Sequence, residues 1–401
     1  PEQRGVIFCG TRGWGLGKMV PAPWRPAMLP HPAPRIADCF CDLVDPRFPH
    51  GRRHRLLDSV TIAVCAVISG AESWVEVAQW GRIKQAWLAD WLDLPHGIPA
   101  HDTFGRVFAR IDPEQFEAGF LRWVQTIART AEPEVIALDG KTVRRSGDQR
   151  TGQRPLHLVS AWASAQRLVL AQEAVDTKDN EITTLPVLLE RLDLDGQIVT
   201  IDAMGCQRAI AAQIVAGAGD YVLALKANQP DLFTNVADTF VLATAPDASD
   251  RTVGKDHGRL EVRVCETISD PTVIAWLDPE GAWPGLRTIA RVSATRQVGT
   301  QDPTTSVRYY LSSLPGDAKL IAEAVRSHWG IENSLHWVLD MAFREDESRV
   351  RLGHSAQNLA VLRKLALTLI QQDRTRKVGV KASRLKAGWD TGYLLKLMGA
   401  P

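Results

Sequence analysis

The sequence predicts an α/β protein in which short aliphatic strands carry acids to the edge of a sheet. Three observations point there. Val135-Ile-Ala-Leu138 is an unbroken apolar run, as in a strand buried on both faces, and it stops on Asp139, after which Gly140 allows a sharp turn. Gln197-Ile-Val-Thr-Ile201 repeats the design and stops on Asp202. Residues 134–228 alternate between strand and helix patterns, while the regions on either side read as helical or strand-rich blocks. A carboxylate at the end of a buried strand is costly unless something pairs with it, and a metal ion is one such partner. Glu332, in the helical stretch His328-Trp-Gly-Ile-Glu-Asn333, is the third acid of the candidate set.

Taken in order, residues 1–35 are rich in Gly and Pro without a period and read as a disordered leader. Gly13, Gly15 and Gly17 precede Lys18, but neither the glycine nor the Ser/Thr that a phosphate loop needs is in place, so no nucleotide cofactor is expected. The chain begins without methionine; Met19 and Met28 are candidate starts, which would make the leader non-native. Residues 36–130 form a helical N-terminal domain in this reading. Leu56 to Ser69 is a helix buried on most faces, and Glu72 to Leu92 places Trp74, Val77, Trp80, Trp87, Leu88 and Trp91 at amphipathic spacing. Core packing and base stacking are the two readings of these tryptophans. Pro95 and Pro99 break the chain. His101-Asp102-Thr103 then caps a helix displaying Arg106 and Arg110, a shape that suits a major groove but is also common without DNA.

Residues 131–229 form the first part of the core: strand 135–139, a hairpin of His157–Ser164 and Leu168–Val175, helix 180–192, strand 197–202, helix 206–216 and strand 221–225. This β-β-β-α-β-α-β order matches the ribonuclease H-like fold, in which the first and fourth strands are neighbours. Residues 230–312 lose helical periodicity and read as a β-rich insertion with strands at 259–264, 273–277, 288–295 and 307–312. Residues 313–373 return to helix as the second part of the core. Asp317 caps a helix that runs, with a break at Gly330, to Phe343, and His354–Gln371 is a further amphipathic helix. Residues 374–401 are a basic tail (Arg374, Arg376, Lys377, Lys381, Arg384, Lys386, Lys396), either solvated or laid on a DNA backbone.

Composition sets limits rather than a function. With 401 residues, 23% charged and 45% hydrophobic, the chain has ample core for two or three domains of an ordinary soluble protein. A net charge of +1 does not announce nucleic-acid binding, although it can hide a basic face beside an acidic site. The six cysteines are scattered without a CxxC pair, which argues against a zinc site and for free thiols in a reducing, cytoplasmic setting. The apolar run 60–71 is too short to span a membrane.

Three carboxylates delivered by two strands and a helix suit Mg²⁺ or Mn²⁺, which favour hard oxygen ligands; two such ions, about 3.5–4 Å apart, can activate a nucleophile and stabilise the leaving oxygen of a phosphodiester. The chain also resembles bacterial insertion-sequence transposases of the DDE type, in the branch of the H-repeat-associated proteins. The resemblance runs from about Asp45 to Leu397 and rests on long strings. Among them are Leu-Pro-His-Gly-Ile-Pro-Ala-His-Asp-Thr-Phe (94–104), Ile-Ala-Leu-Asp-Gly-Lys-Thr (136–142), Asn-Glu-Ile-Thr (180–183), Val-Thr-Ile-Asp-Ala-Met-Gly-Cys-Gln (199–207), Arg-Ser-His-Trp-Gly-Ile-Glu-Asn (326–333) and Phe-Arg-Glu-Asp-Glu-Ser-Arg (343–349).

The resemblance implies that the catalytic, metal-holding acids are Asp139, Asp202 and Glu332, with the β-rich insertion explaining the long gap before the glutamate. It implies double-stranded DNA as partner, both the element's terminal repeats and the target. It also implies a homodimer on DNA, and cleavage that frees a 3′-hydroxyl for transfer. A nuclease without strand transfer and an inert DNA-binding derivative are the alternatives. One departure stands out: where many relatives carry Tyr, Arg and Lys around the glutamate, this chain has Val325, His328 and Leu339, so Arg326 and His328 are expected to take over the phosphate contact. Further candidates for DNA contact are Lys141, Lys226, Asn228, Gln229, His257, Arg259, Arg263 and Asn333, each with a plain surface or hydrogen-bonding role as its alternative. Trp276 and Trp283 are candidates for stacking on an unpaired base, with core packing favoured. Glu345, Asp346 and Glu347 are rival acids, expected to pair with Arg344, Arg349 and Arg351.

Overall fold

A computed structural model describes residues 38–127, 134–175, 180–243, 245–256 and 258–399; the expected leader and His257 lie outside them. The first described region is helical: α1 (Leu56–Ile68), α2 (Trp74–Ile83), α3 (Gln85–Ala89), α4 (His101–Phe108) and α5 (Pro113–Ile127). Leu56–Ile68 is apolar nearly all round, and it is buried nearly all round. The single helix expected over 72–92 is two, and α4 begins at His101 with Ala100 as an N-cap that makes no side-chain bond, so His101-Asp102-Thr103 is a first turn and not a cap. Arg106 and Arg110 are exposed, while Trp74 is buried and stacks on Phe108 with ring centroids 4.6 Å apart.

The centre is one mixed sheet. Its strands are β1 (Val135–Val143), β2 (Leu156–Ala163), β3 (Leu168–Ala174), β4 (Ile198–Ile201), β5 (Asp220–Leu225), β6 (Ala248–Asp256), β7 (Arg259–Ile268), β8 (Thr288–Val298) and β9 (Thr304–Ser312). They lie in the order β3-β2-β1-β4-β5-β9-β8-β7-β6. β1 and β4 are parallel neighbours, paired from Val135↔Ile198 to Leu138↔Ile201. Between strands run α6 (Glu181–Glu190), α7 (Arg208–Ala216), α8 (Pro230–Leu242) and α9 (Pro271–Leu277). The strand-rich segment therefore continues the central sheet through β9 on β5. Two details differ from expectation: 273–277 is helical, started by Pro271 with Asp270 capping Thr272, and β6 and α8 escaped notice.

β1 does not end at Asp139. It continues to Val143, with Asp139 opposite Ser160 and Gly140 opposite Val159 on β2. Gly140 is there for space rather than for a turn: a Cβ would run into the Glu181 carboxylate and stand 2.7 Å from His157 Nε2.

After the sheet come α10 (Ala318–Ile331), a π-helical turn (Glu332–His336), α11 (Trp337–Phe343), α12 (Ser355–Gln372), α13 (Val380–Trp389) and α14 (Thr391–Leu397). Asp317 caps α10 by accepting from Lys319 N (2.9 Å) and Leu320 N (3.1 Å), as its sequence position predicts. The irregularity expected at Gly330 falls two residues later, as the π turn. α12 is not amphipathic; it is buried through most of its length, including Arg363 and Lys364. The basic tail is folded as well: Arg384 is 3% exposed and Lys396 bonds Asp373 Oδ1 (2.9 Å).

Apolar clusters cover both faces of the sheet, and one of them packs Val222, Ala290 and Val292 against Ile321 and Ala324 of α10. Ile136, Leu138 and Val159 pack against α6 and α7 on one face, while Ala137 and Trp162 pack with α1–α5, α11 and α12 on the other. Side chains alternate along a strand, so Asp139 falls on the face of Ala137, toward the helical layer. Among the described residues the cysteines at 41, 65, 206 and 265 are free. Among the described residues no helix is long and apolar enough to cross a membrane.

Candidate active site

Strand register brings two of the acids together. One step beyond the Leu138↔Ile201 pair, Asp139 stands across from Asp202. Asp202 caps the short turn Ala203–Gly205, accepting from Met204 N at 3.0 Å. Glu332 reaches the same place from the end of α10. The three acids, with Thr200, Lys226 and His328, line one cleft of about 220 Å³.

His328 sits among them, its Nδ1 3.1 Å from Thr200 Oγ1. Burial holds its pKa below the usual histidine value, against the opposing pull of Asp139, Asp202 and Glu332. Asp139 Oδ2 lies 3.3 Å from Nδ1 of His336, a residue of the π turn whose buried Nε2 has no hydrogen-bond partner among the described residues. No Lys or Arg pairs with Asp202 or Glu332 among the described residues.

Three carboxylates on one cleft, none of them paired with a Lys or Arg among the described residues, are the hard-oxygen donor set a divalent ion takes. As the side chains stand, however, no three His, Cys, Asp or Glu residues among those described are close enough to share one ion. Asp139 is turned onto His336 and Asp202 onto the Met204 N–H, so gathering on an ion requires these carboxylates to exchange protein donors for metal.

The other candidates divide. Lys226 is exposed on the cleft. Asn228 and Gln229 instead donate to Ala203 O (2.6 Å) and Cys206 O (3.1 Å), which braces the turn after Asp202. Asn333 donates to Trp329 O (2.9 Å) in its own helix. Arg259, Arg263 and Arg326 line an adjoining groove of about 510 Å³ on the β7–β9 face, although Arg263 pairs with Glu261 (2.6 Å). Arg308 and Trp329, which the sequence reading passed over, border both cleft and groove, with the guanidinium 4.4 Å from the ring centroid.

Lys141 corrects an expectation. Its side chain is 12% exposed and enclosed by Asp340 (2.8 Å), Asp346 (3.1 Å) and Glu345 (3.4 Å), which leaves it unavailable to a phosphate. Burial opposes its charge, yet the carboxylates, Glu345 foremost, hold its pKa above the usual lysine value. Of the three rival acids, Glu347 pairs with Arg344 as expected, while Glu345 and Asp346 take Lys141. Trp283 is core, and Trp276 is exposed. His336 was missed although its signal was present: it lies four residues beyond Glu332, on the same helix side.

The chain matches a known family. Residues 37–124 match the DDE_Tnp_1-associated family and residues 130–369 match the Transposase DDE domain, so the chain belongs to the DDE transposases. It is 39% identical over 351 residues to "Putative transposase YncI" of Escherichia coli O157:H7, covering 86% of this chain and 90% of that one. To the "H repeat-associated putative transposase YhhI" of Escherichia coli K12 it is 35% identical, covering 86% and 92%. An "Uncharacterized protein in dhlA 3'region" of Xanthobacter autotrophicus is 46% identical over 281 residues, covering 69% and 92%. Within the DDE transposases of bacterial insertion sequences, its relatives are thus those of the H-repeat-associated branch.

Proposed function

We propose that this protein cuts the ends of its own insertion sequence and joins the freed 3′-hydroxyl to target DNA. The observation that carries the reading is the meeting of Asp139, Asp202 and Glu332 in one cleft from β1, β4 and the end of α10. The strand order β3-β2-β1-β4-β5 supports a ribonuclease H-like core. Asp139, Asp202 and Glu332 would hold two Mg²⁺ or Mn²⁺ ions, which when bound supply the charge that activates the attacking oxygen and stabilises the leaving one.

The chain's own residues do the rest. Lys226 meets a phosphate at the cleft rim. Asn228 and Gln229 keep the turn after Asp202 from drifting. His328, on the cleft wall beside the acids, holds α10 against Thr200 of β4. Arg259, Arg263, Arg308 and Arg326 give the DNA backbone a track leading away from the cleft. Such an enzyme works as a homodimer that holds both element ends.

The test is cleavage of a labelled duplex bearing the element's end, with Mg²⁺ or Mn²⁺, by the full chain and by Asp139→Ala, Asp202→Ala and Glu332→Ala. Cutting is expected in the parent and absent in all three variants; cutting that survives in any one means the wrong acid is named. A pre-cut end that is then joined to target separates a transposase from a nuclease. Binding without any cutting leaves a DNA-binding derivative.

A further inference from the structure

Two distant strings, Asp139-Gly-Lys-Thr142 and Phe343-Arg-Glu-Asp-Glu-Ser-Arg349, meet in the fold, and the chemistry above uses neither Lys141 nor the acids it holds. Lys141 on β1 grips Asp340 of α11 and the Glu345-Asp346 turn that follows it. Glu345 is 1% exposed and is backed by Arg363 of α12 at 3.8 Å, so the grip has a fixed anchor.

Four residues of the helix facing β1 and β4 are spaced by four: His328, Glu332, His336 and Asp340. His328 meets Thr200 of β4, Glu332 lines the cleft, His336 meets Asp139 and Asp340 meets Lys141. In a regular helix each four-residue step turns the side chain by about 40°, which would carry Asp340 roughly 120° round from His328. The π turn Glu332–His336, with its wider i→i+5 bonds, winds less per residue and takes back part of that drift. It keeps all four residues on the strands.

We propose that Lys141 is a positioning residue for the metal site: its bonds to Asp340, Glu345 and Asp346 fix β1 against α11, and so fix Asp139 against Glu332. Lys141 and Asp139 share one strand and one face, two residues apart. Asp340 and Glu332 belong to one continuous helical stretch. Any slip of β1 against α11 that opens Lys141–Asp340 therefore also moves Asp139 relative to Glu332. This inference rests on the metal reading of the three acids.

The test measures Mn²⁺ uptake by the full chain by electron paramagnetic resonance, alongside affinity for an end duplex across salt concentrations, in Lys141→Met and Lys141→Arg. Asp340→Asn, which removes one partly exposed arm, serves if Lys141→Met does not fold. Lys141→Met is expected to bind Mn²⁺ about 10-fold more weakly or worse, the range seen for residues that orient metal ligands. Lys141→Arg restores most of it, Asp340→Asn is intermediate, and duplex affinity is unchanged throughout. Equal Mn²⁺ affinity in parent and Lys141→Met overturns the proposal and leaves the triad standing. A weaker duplex affinity with the salt slope reduced by about one overturns it in favour of a phosphate contact. A parent chain that takes up no Mn²⁺ overturns the metal reading itself, and this proposal with it.

Discussion

Arg384→Ala separates a structural tail from a DNA-binding one. Arg384 lies on α13 in the most basic part of the sequence, yet it is 3% exposed. Its Nε and Nη2 donate to Val67 O (3.2 and 2.9 Å), its Nη2 also to Ala71 O (3.2 Å), and its Nη1 to Ala342 O. The guanidinium stands 4.0 Å from the Phe343 ring centroid. Burial lowers its pKa to about 10, so it stays charged at neutral pH. Val67 and Ala342 lie in the last turns of α1 and α11, where carbonyls lack helical donors and a cation is favoured. One side chain thus joins the ends of two helices to the tail.

Charge-assisted hydrogen bonds contribute about 1.5–3 kcal/mol each. The cost of dehydrating the guanidinium, which disappears in the variant, offsets part of that sum. The expected net loss is about 4 kcal/mol, in the range for breaking a buried charged network. For a chain of this length that corresponds to a fall in melting temperature of roughly 5 °C. The exposed Lys381→Ala in the same helix should stay within about 0.5 kcal/mol of the parent. Urea titration followed by tryptophan fluorescence measures both. An Arg384→Ala protein with parental stability but weaker, less salt-dependent duplex binding would refute the reasoning and return the tail to the DNA.

Two further predictions concern the core. Glu117 is 3% exposed and accepts from Gln172 N at 2.9 Å; burial raises its pKa from 4.5 to about 7, against the pull of Arg191, the Gln172 N–H and Lys364, with Glu173 adding to the rise. Its contribution to stability is fully present below about pH 4.5 and is lost as the pH rises through 7. Glu117→Gln keeps the acceptor without the charge, so it should match the parent near pH 4.5 and exceed it above pH 7 by no more than about 3 kcal/mol, read from urea unfolding at several pH values. Gly119→Ala places a Cβ 2.6 Å from Cε1 of Phe40, which is 1% exposed, so it should destabilise by about 1–3 kcal/mol in the same assay; no change would show that the Phe40 ring can move aside.

The sequence by itself determined the strands that carry Asp139 and Asp202, because an aliphatic run bounded by an acid is a local pattern that needs no partner to be read. It also determined the Asp317 cap and the helix bearing Glu332, through residues within a turn of one another. The sequence reading missed the continuation of β1 past Gly140, because what makes glycine necessary there is the Glu181–His157 pair arriving from α6 and β2. The same limit applied to charge. Lys141 and Arg384 look like surface cations in one dimension, and only packing shows the carboxylates and helix-end carbonyls that enclose them. The π turn is the clearest case: four-residue spacing from His328 to Asp340 is visible in the chain, but the strands it must face are not. Only the tertiary structure decided that β4 and β1 lie under that helix, and hence which of its residues stand over Asp139.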